Sequence, residues 1–462
     1  MGHAFVCNCV NPHLFQVIQG AHYEPWRGRE SSRFAYQRID TIADHLHFVG
    51  LSNVRQGLNS AAEDAAGGGH AHCGTMIYLG DALPAPYRNT LMTNNIHGRR
   101  INNDIPRRSG SGYVASHGPD VLRAEDPWFM GVTLAYGASG EIYVSDWSDT
   151  GECHSIRNTR RHTGRIYRLT YEQETIAATD MNALSNEALV DAQLHPNDWR
   201  VRHARRLLQE RFVAGQPMDE IRVRLREFLK TQTETAMRLR ALWALHCIDG
   251  DDDELLEGLL SDADENLRSW AITLLCEDRQ PPVSATEKIL KLATSGDSAL
   301  VRLSITSALQ RLPLPKRWSL IESLSQRDED IDDQNLPLML WYAAEPLIDD
   351  DASRYAKLAV YSQIPLLSKH IARRIASSQQ AEAGIHALLA QVLSLLDDRD
   401  QRTKPVLAAI LDGLLIGLEG RRLSPPTNWS TVSAKLRRHP DSDIRQKGVR
   451  VALLLNDPQA IL

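Results

Sequence analysis

Nineteen of the chain's 28 glycines and 11 of its 17 histidines fall before residue 171. Glycine supplies the positive φ that tight turns need, so a Gly-dense stretch is built from short elements joined by turns. A Gly-poor stretch favours long, regular ones. At 462 residues the chain is long enough for more than one core, since single domains usually run to about 100–200 residues. The composition break therefore predicts two regions, 1–172 and 185–462, built by different rules.

In the first region short apolar runs are punctuated by Gly, Asn, Asp and Pro: Met76–Leu79, Gly112–Val114, Val132–Leu134, Glu141–Ser145 and Gly164–Leu169. Runs of this length between turn residues read as strands. Tyr136–Trp147 followed by Gly164–Leu169 has the form of a tight turn, a strand and a partner strand, as in one blade of a β-propeller. The second region changes period. Leu267, Trp270, Ala271, Leu274 and Leu275 trace a helical stripe, and Val301, Ile305, Ala308, Leu309 and Leu312 trace another. Polar turns followed by an apolar–Arg pair introduce the helices at Asp198–Arg202, Arg238–Arg240, Asp264–Arg268, Asp297–Arg302 and Asp441–Arg445. Starts spaced by roughly 28–38 residues leave room for a helix pair each. The pattern resembles HEAT repeats, although residues 314–361 fit it poorly. The fold class expected is thus multidomain β + α: a partial β-propeller, its C-terminal blades, followed by an α-helical HEAT-like solenoid.

Charge and cysteine usage narrow the function classes. A formal charge of −6 gives no broad basic face, so nucleic acid is not an expected partner. The six cysteines are too scattered for a disulfide framework. Cys153-His154 has no Cys three positions earlier, so no covalent haem site is expected in this chain. No stretch of about 18 apolar residues occurs, and no transmembrane segment is expected. The N-terminus lacks a basic-then-apolar run, so the chain as given shows no signal peptide.

The densest polar signal is Gly67–Gly80, with His70 and His72 inside it. If the residues after the glycines are extended, the two imidazoles share a face and can bind a metal or divide acid–base work. The bland alternative is two neutral histidines bonded to loop backbone. Further polar groups lie at Asp44-His45-Leu-His47, Asn94-Asn95-Ile-His97-Gly-Arg99, His117-Gly-Pro-Asp120, Asp146–Asp149 and Cys153-His154. Propeller loops converge at one end of a central channel, so groups distant in sequence can meet there. For Asp146 and Asp149, capping of turns between strands competes with calcium ligation.

At these residues a family resemblance emerges. Gly67–His72, Met76–Asp81, Tyr87–Asn89, Asn94–Gly98, Gly110–Tyr113, His117–Asp120, Asp126–Trp128, Tyr143–Trp147 and Gly164–Tyr167 resemble the membrane-bound dehydrogenase family typical of Planctomycetes and Verrucomicrobia. Pro12–Phe15, Thr41–His45, Asn335–Tyr342 and Glu345–Leu347 look similar too. That family joins a glucose/sorbosone-dehydrogenase-like propeller to HEAT-like repeats and often to a haem c domain. Ala138-Ser139 departs from its usual Pro-Asp, and Arg99 stands where a small polar residue is usual. Against full-length relatives the chain looks truncated at both ends, with room for about three blades where a propeller needs at least four.

The resemblance implies oxidation of a sugar or alcohol, with electrons passed to a haem c partner protein or domain, and a periplasmic or cell-envelope location. It nominates His70 and His72 as catalytic base, and Asn94, Asn95, His97, Arg99 and His117 around a pyrroloquinoline quinone. His45, His47, Asp120 and Asp146 are the candidate metal ligands, with Ca²⁺ held by Asp120 or Asp146. The alternative is a non-catalytic scaffold in which the propeller remnant recognises a glycan or protein and the helical array presents a concave surface for a protein partner.

Overall fold

The computed structural model describes residues 1–9, 13–24, 32–45, 65–69, 71–147, 160, 162–171, 180–397, 403–421 and 423–460. His47, His70, Asp149, Cys153 and His154 lie outside the described residues.

Among the described residues through Leu169 the strands pair antiparallel, with a short 3-10 turn at Ala85–Tyr87. Strands β1 (Ala4–Cys7) and β2 (Leu14–Val17) form a hairpin. A larger sheet runs in the order β3 (His72–Ile77), β4 (Leu91–Asn95), β5 (Arg100–Ser109) and β6 (Gly112–His117), with β7 (Leu122–Arg123) also paired to β5. Three further strands, β8 (Gly131–Tyr136), β9 (Ile142–Asp146) and β10 (Ile166–Leu169), make a separate antiparallel sheet. No closed barrel forms among the described residues.

The pleat divides β4 and β5 into two unlike faces. Met92 and Ile101 point to one side, where they share a core with Tyr78, Phe129, Leu134, Tyr136, Ile142 and Val144 from the three-stranded sheet and its approaches. The opposite face is split. At one end Leu91 and Ala115 pack with Leu14 and Ile42, flanked by Phe5, Ile77 and Tyr113. At the other end the same face carries only polar groups, and this end becomes the candidate site.

From Asn186 the chain is helical. Sixteen α-helices occur among the described residues: α1 (Asn186–Asp191), α2 (Asp198–Val213), α3 (Asp219–Thr231), α4 (Thr235–Cys247), α5 (Asp253–Leu259), α6 (Glu265–Leu275), α7 (Val283–Ser295), α8 (Ala299–Leu309), α9 (Leu314–Leu324), α10 (Leu336–Ala344), α11 (Ala352–Tyr361), α12 (Pro365–Ala376), α13 (Ala381–Asp397), α14 (Thr403–Leu418), α15 (Trp429–Arg437) and α16 (Ser442–Leu454). None is long and apolar enough to cross a membrane. Side-chain caps start several of them: Asn197 accepts from Trp199 N at 3.0 Å, Asp264 from Asn266 N at 2.8 Å, and Asp441 from Asp443 N at 2.8 Å. Pro282 and Pro313 precede α7 and α9, and Gly296 ends α7 at φ +77°.

Two of the arginines in the apolar–Arg pairs, Arg268 and Arg302, share a use. Arg268 returns to the carbonyl of Asp262 at 2.6 Å and reaches Asp297, in the turn before α8, at 2.6 Å. Arg302 of α8 in turn grips Asp330 at 2.7 Å through Nε. Arg302 also returns to the carbonyl of Asp297, so these two arginines each tie their own turn to a following one, while Arg240 reaches back to Asp198 at 3.1 Å.

The chain divides into two compact units that do not follow the change in secondary structure. Unit 1 comprises Met1–Val17, Glu24–Gly28 and Asp40–Leu255; unit 2 comprises Ile18–Tyr23, Arg29–Ile39 and Leu256–Leu462. Within unit 1, α2 docks on strand loops: Asn197 donates to Gly137 O at 3.1 Å, Arg200 to Ala138 O at 3.0 Å, and Asp198 N to Leu79 O at 3.1 Å.

Candidate functional site

Three polar residues alternate along β5, Arg100, Asn102 and Asp104, all on the face opposite Ile101. Register adds Asn95 opposite Arg100, His72 opposite Asn95, and His117 opposite Asp104. His13, at the entry to β2, and His45, at the end of the 40–45 segment, complete the set. The ring centroids of His13 and His45 are 5.6 Å apart, those of His13 and His72 5.5 Å, and those of His45 and His117 5.5 Å.

Asp104, only 1% exposed, is the hub. Its Oδ1 lies 3.1 Å from His45 Nε2 and 3.5 Å from His117 Nδ1. The other ring nitrogen of His45 bonds Asp44 Oδ1 at 2.8 Å, and Ser116 Oγ donates to Asp44 Oδ2 at 2.7 Å. Burial works against a charged His45, but Asp104 and Asp44 outweigh it, so its pKa lies above the ordinary histidine value. Burial likewise opposes ionised Asp44, yet its bonds to His45 and Ser116 hold its pKa below the usual carboxylate range.

A second network braces this hub. Asp120 faces His117 Nε2 at 3.6 Å and receives Arg100 at 3.1 Å and Asn102 Nδ2 at 2.9 Å. Asn95 and Asn102 both donate to Gly67 O at 2.9 Å, and Asn95 Oδ1 accepts from Gly98 N at 2.9 Å. These amides hold the Gly67–Gly68 backbone against the sheet; a Cβ on Gly69, at φ +142°, would come within 2.1 Å of Asn95 Oδ1.

Of the residues nominated from the sequence, the fold brings His45, His72, His117, Asn95 and Asp120 to this face. Asn94 and Asn95 point to opposite faces of β4. Asn94, fully buried, is aimed at β8, where a Cβ on Gly131 would sit 2.4 Å from its Oδ1. Its side-chain polar atoms have no hydrogen-bond partner among the described residues. His97 and Arg99 lie in the turn between β4 and β5, with Arg99 exposed at φ +50°. Asp146 belongs to the three-stranded sheet, where it binds Arg165 at 2.8 Å and accepts from Met130 N at 2.6 Å. The extended run begins only at His72, and Ala71 takes φ +61°. His70, expected to share a face with His72, lies outside the described residues.

This placement tests the implied cofactors. Asn94, Asn95, His97, Arg99 and His117 are split between two sheet faces and a turn, and Arg100 is committed to Asp120 and Gly98 O. They form no cradle for a quinone polyanion. Calcium needs about six to eight oxygen ligands, whereas the carboxylates of Asp120 and Asp146 are engaged by arginines on different sheets. Among the described residues, neither set is arranged to hold its implied group.

Two hub residues escaped the sequence reading, His13 and Asp104. The signal for Asp104 was the period-two run Arg100, Asn102, Asp104 around apolar Ile101, which marks one polar face of a buried strand.

A family model described as a domain of unknown function, DUF7133, matches residues 1–173. No curated protein matches the chain. Among solved structures, one engineered protein shows 19% identity over 60% of this chain and 80% of its own, with a TM-score of 0.26. Another shows 20% identity over 45% and 97%, with a TM-score of 0.21. Scores this low carry nothing about fold or function.

Proposed function

We propose that the N-terminal β-region is the hydroxyl-handling part of a propeller-type sugar or alcohol dehydrogenase, and that the helical region is its HEAT-like docking array. One observation carries the reading: a buried carboxylate, Asp104, shared by two imidazoles, His45 and His117. A carboxylate that orients an imidazole raises its proton affinity and fixes its tautomer, which is what abstraction of a hydroxyl proton requires. The residues supply only this proton half of the oxidation. Electrons would leave to an acceptor carried by another molecule, such as the haem c partner and envelope location that the family resemblance implies. The blade interpretation draws support from the two sheets sharing one apolar core, and the HEAT-like interpretation from the turn-to-turn arginine links.

Dye-linked oxidation of a sugar and polyol panel by the purified chain, supplied with a soluble quinone acceptor, tests the reading. Asp104→Asn should lower the rate by about 100-fold, the usual scale for losing positioned acid–base help. Turnover equal to wild type would remove Asp104 from the chemistry, and no turnover in wild type on any substrate would sink the dehydrogenase.

The scaffold alternative has its own observation. Unit 2 carries a cleft of about 930 Å³ lined by Arg33, Arg373, Arg374 and Arg421 together with Phe34 and Tyr36. Pull-down of an acidic partner by a dehydrogenase-inactive chain would favour it.

A further inference from the structure

We propose that His13, His45 and Asp104 bind one divalent transition-metal ion, with Zn²⁺ the first candidate. The inference rests on the polar face being the working face of unit 1, and it is tested separately from the dehydrogenase. One ligand atom from each of these three residues lies within 4.8 Å of the other two. His45 Nε2 and Asp104 Oδ1, 3.1 Å apart, already have the separation of neighbouring ligands around an ion bound at about 2.0–2.2 Å.

The surroundings are those of a metal centre. A ligating histidine is normally oriented by a carboxylate on its far nitrogen. Asp44 does this to His45 at 2.8 Å and is itself held by Ser116 at 2.7 Å. His117 reaches the liganding oxygen of Asp104, and His13 is stacked on His72 with ring planes 28° apart. His13 and Asp104 are each 1% exposed, so the donors are assembled where water competes least.

Two imidazoles and one carboxylate select the metal class. The set suits zinc, iron(II) or cobalt and leaves coordination positions open, while calcium and magnesium demand mostly oxygen donors. An open position beside His117 is where a hydroxyl group would meet both the ion and a proton acceptor.

Full-length protein stripped with a chelator and titrated with Zn²⁺ and Co²⁺ should bind one ion per chain, with ligand-field bands for Co²⁺. His13→Ala and His45→Ala should weaken binding by more than about 100-fold and Asp44→Asn by about 10-fold. His162→Ala, an exposed position, should leave it unchanged. X-ray absorption of the wild-type zinc form needs no variant: imidazole nitrogen and oxygen shells at about 2.0–2.1 Å support the site, and a sulfur shell overturns it. Failure to bind either ion, or unaltered binding in the His13/His45 double variant, also overturns it. Metal bound without dye reduction upholds the site and counts against the dehydrogenase. Dye reduction by protein that binds no metal does the reverse.

Discussion

At the scale of single residues, the pleat of β4 separates two side chains that are adjacent in sequence. Asn94 and Asn95 form one motif on the page, yet the pleat sends Asn95 to the polar hub and buries Asn94 against β8. The period-two rule separates them once the strand is placed. His13 was not legible as a ligand because its meeting with Asp104 depends on a hairpin folding across a distant sheet. Histidines outside the hub take another course. In unit 2, His370 is 3% exposed, faces Trp341 and Tyr36, and has no hydrogen-bond partner on either ring nitrogen among the described residues. Burial first, and then Lys369 and Arg373, push its pKa down to about 3. The unfolded chain binds this proton near pH 6.5 and the folded chain does not. The contribution is complete above pH 6.5 and is lost progressively as pH falls toward 3. Urea unfolding followed by helical circular dichroism at pH 7 and 5 should show wild type losing about 2 kcal/mol more than His370→Leu. Equal losses would mean that His370 is solvated or charged in the folded state.

Elements show which parts of the sequence pattern were physical and which were incidental. The apolar–Arg pairs were legible as helix starts because a capped first turn needs a polar residue there. The second use of Arg268 and Arg302, linking one turn to a later one, was not legible, because spacing places the turns without saying which side chains meet across them. The links differ in burial. Arg302 is 6% and Asp330 3% exposed, joined at 2.7 Å, whereas the Arg222–Asp219 pair at 3.1 Å has an exposed carboxylate. Removing one partner of a buried pair strands a charge out of water and costs about 3–5 kcal/mol; an exposed pair is worth about 1 kcal/mol or less. Asp330→Ala should therefore destabilise unit 2 strongly in thermal unfolding, while Asp219→Ala should scarcely shift unit 1. Comparable small effects would show that Arg302 finds another acceptor. In the β-region, Gly74 marks a bulge in β3: at φ +62° its Cβ would lie 2.3 Å from Val132 O, a constraint that composition alone does not reveal.

For the molecule as a whole, the glycine and histidine counts locate where strands give way to helices, while compactness is decided by a different set of contacts. The segments Ile18–Tyr23 and Arg29–Ile39 belong to unit 2 despite their place in the Gly-rich region. Nothing in their composition announces this, because irregular backbone has no period and is recognised only by what it covers. Here it covers the fully buried Trp341, whose Nε1 donates to Phe34 O at 2.9 Å, and Tyr342, whose hydroxyl donates to Gln37 O at 2.9 Å. Tyr36 stacks on Trp341 at 5.3 Å, the Arg373 guanidinium lies 3.8 Å from the centre of the Tyr36 ring, and Arg374 lies 4.0 Å from that of Phe34. A chain running from Asp253 to the C-terminus would lose all of these groups together. It would expose Trp341 and leave the arginines of α12 without their aromatic platforms. Such a fragment should unfold at lower temperature than the helical signal of the full chain, with red-shifted tryptophan emission and self-association. A peptide spanning residues 18–39, added in trans, should reverse the red shift, and the Tyr36→Ala peptide should do so more weakly by about 2 kcal/mol of binding free energy. A fragment as stable as the intact chain, with emission unchanged by the peptide, would show that the helices complete their own core and that the N-terminal segments merely lie on it.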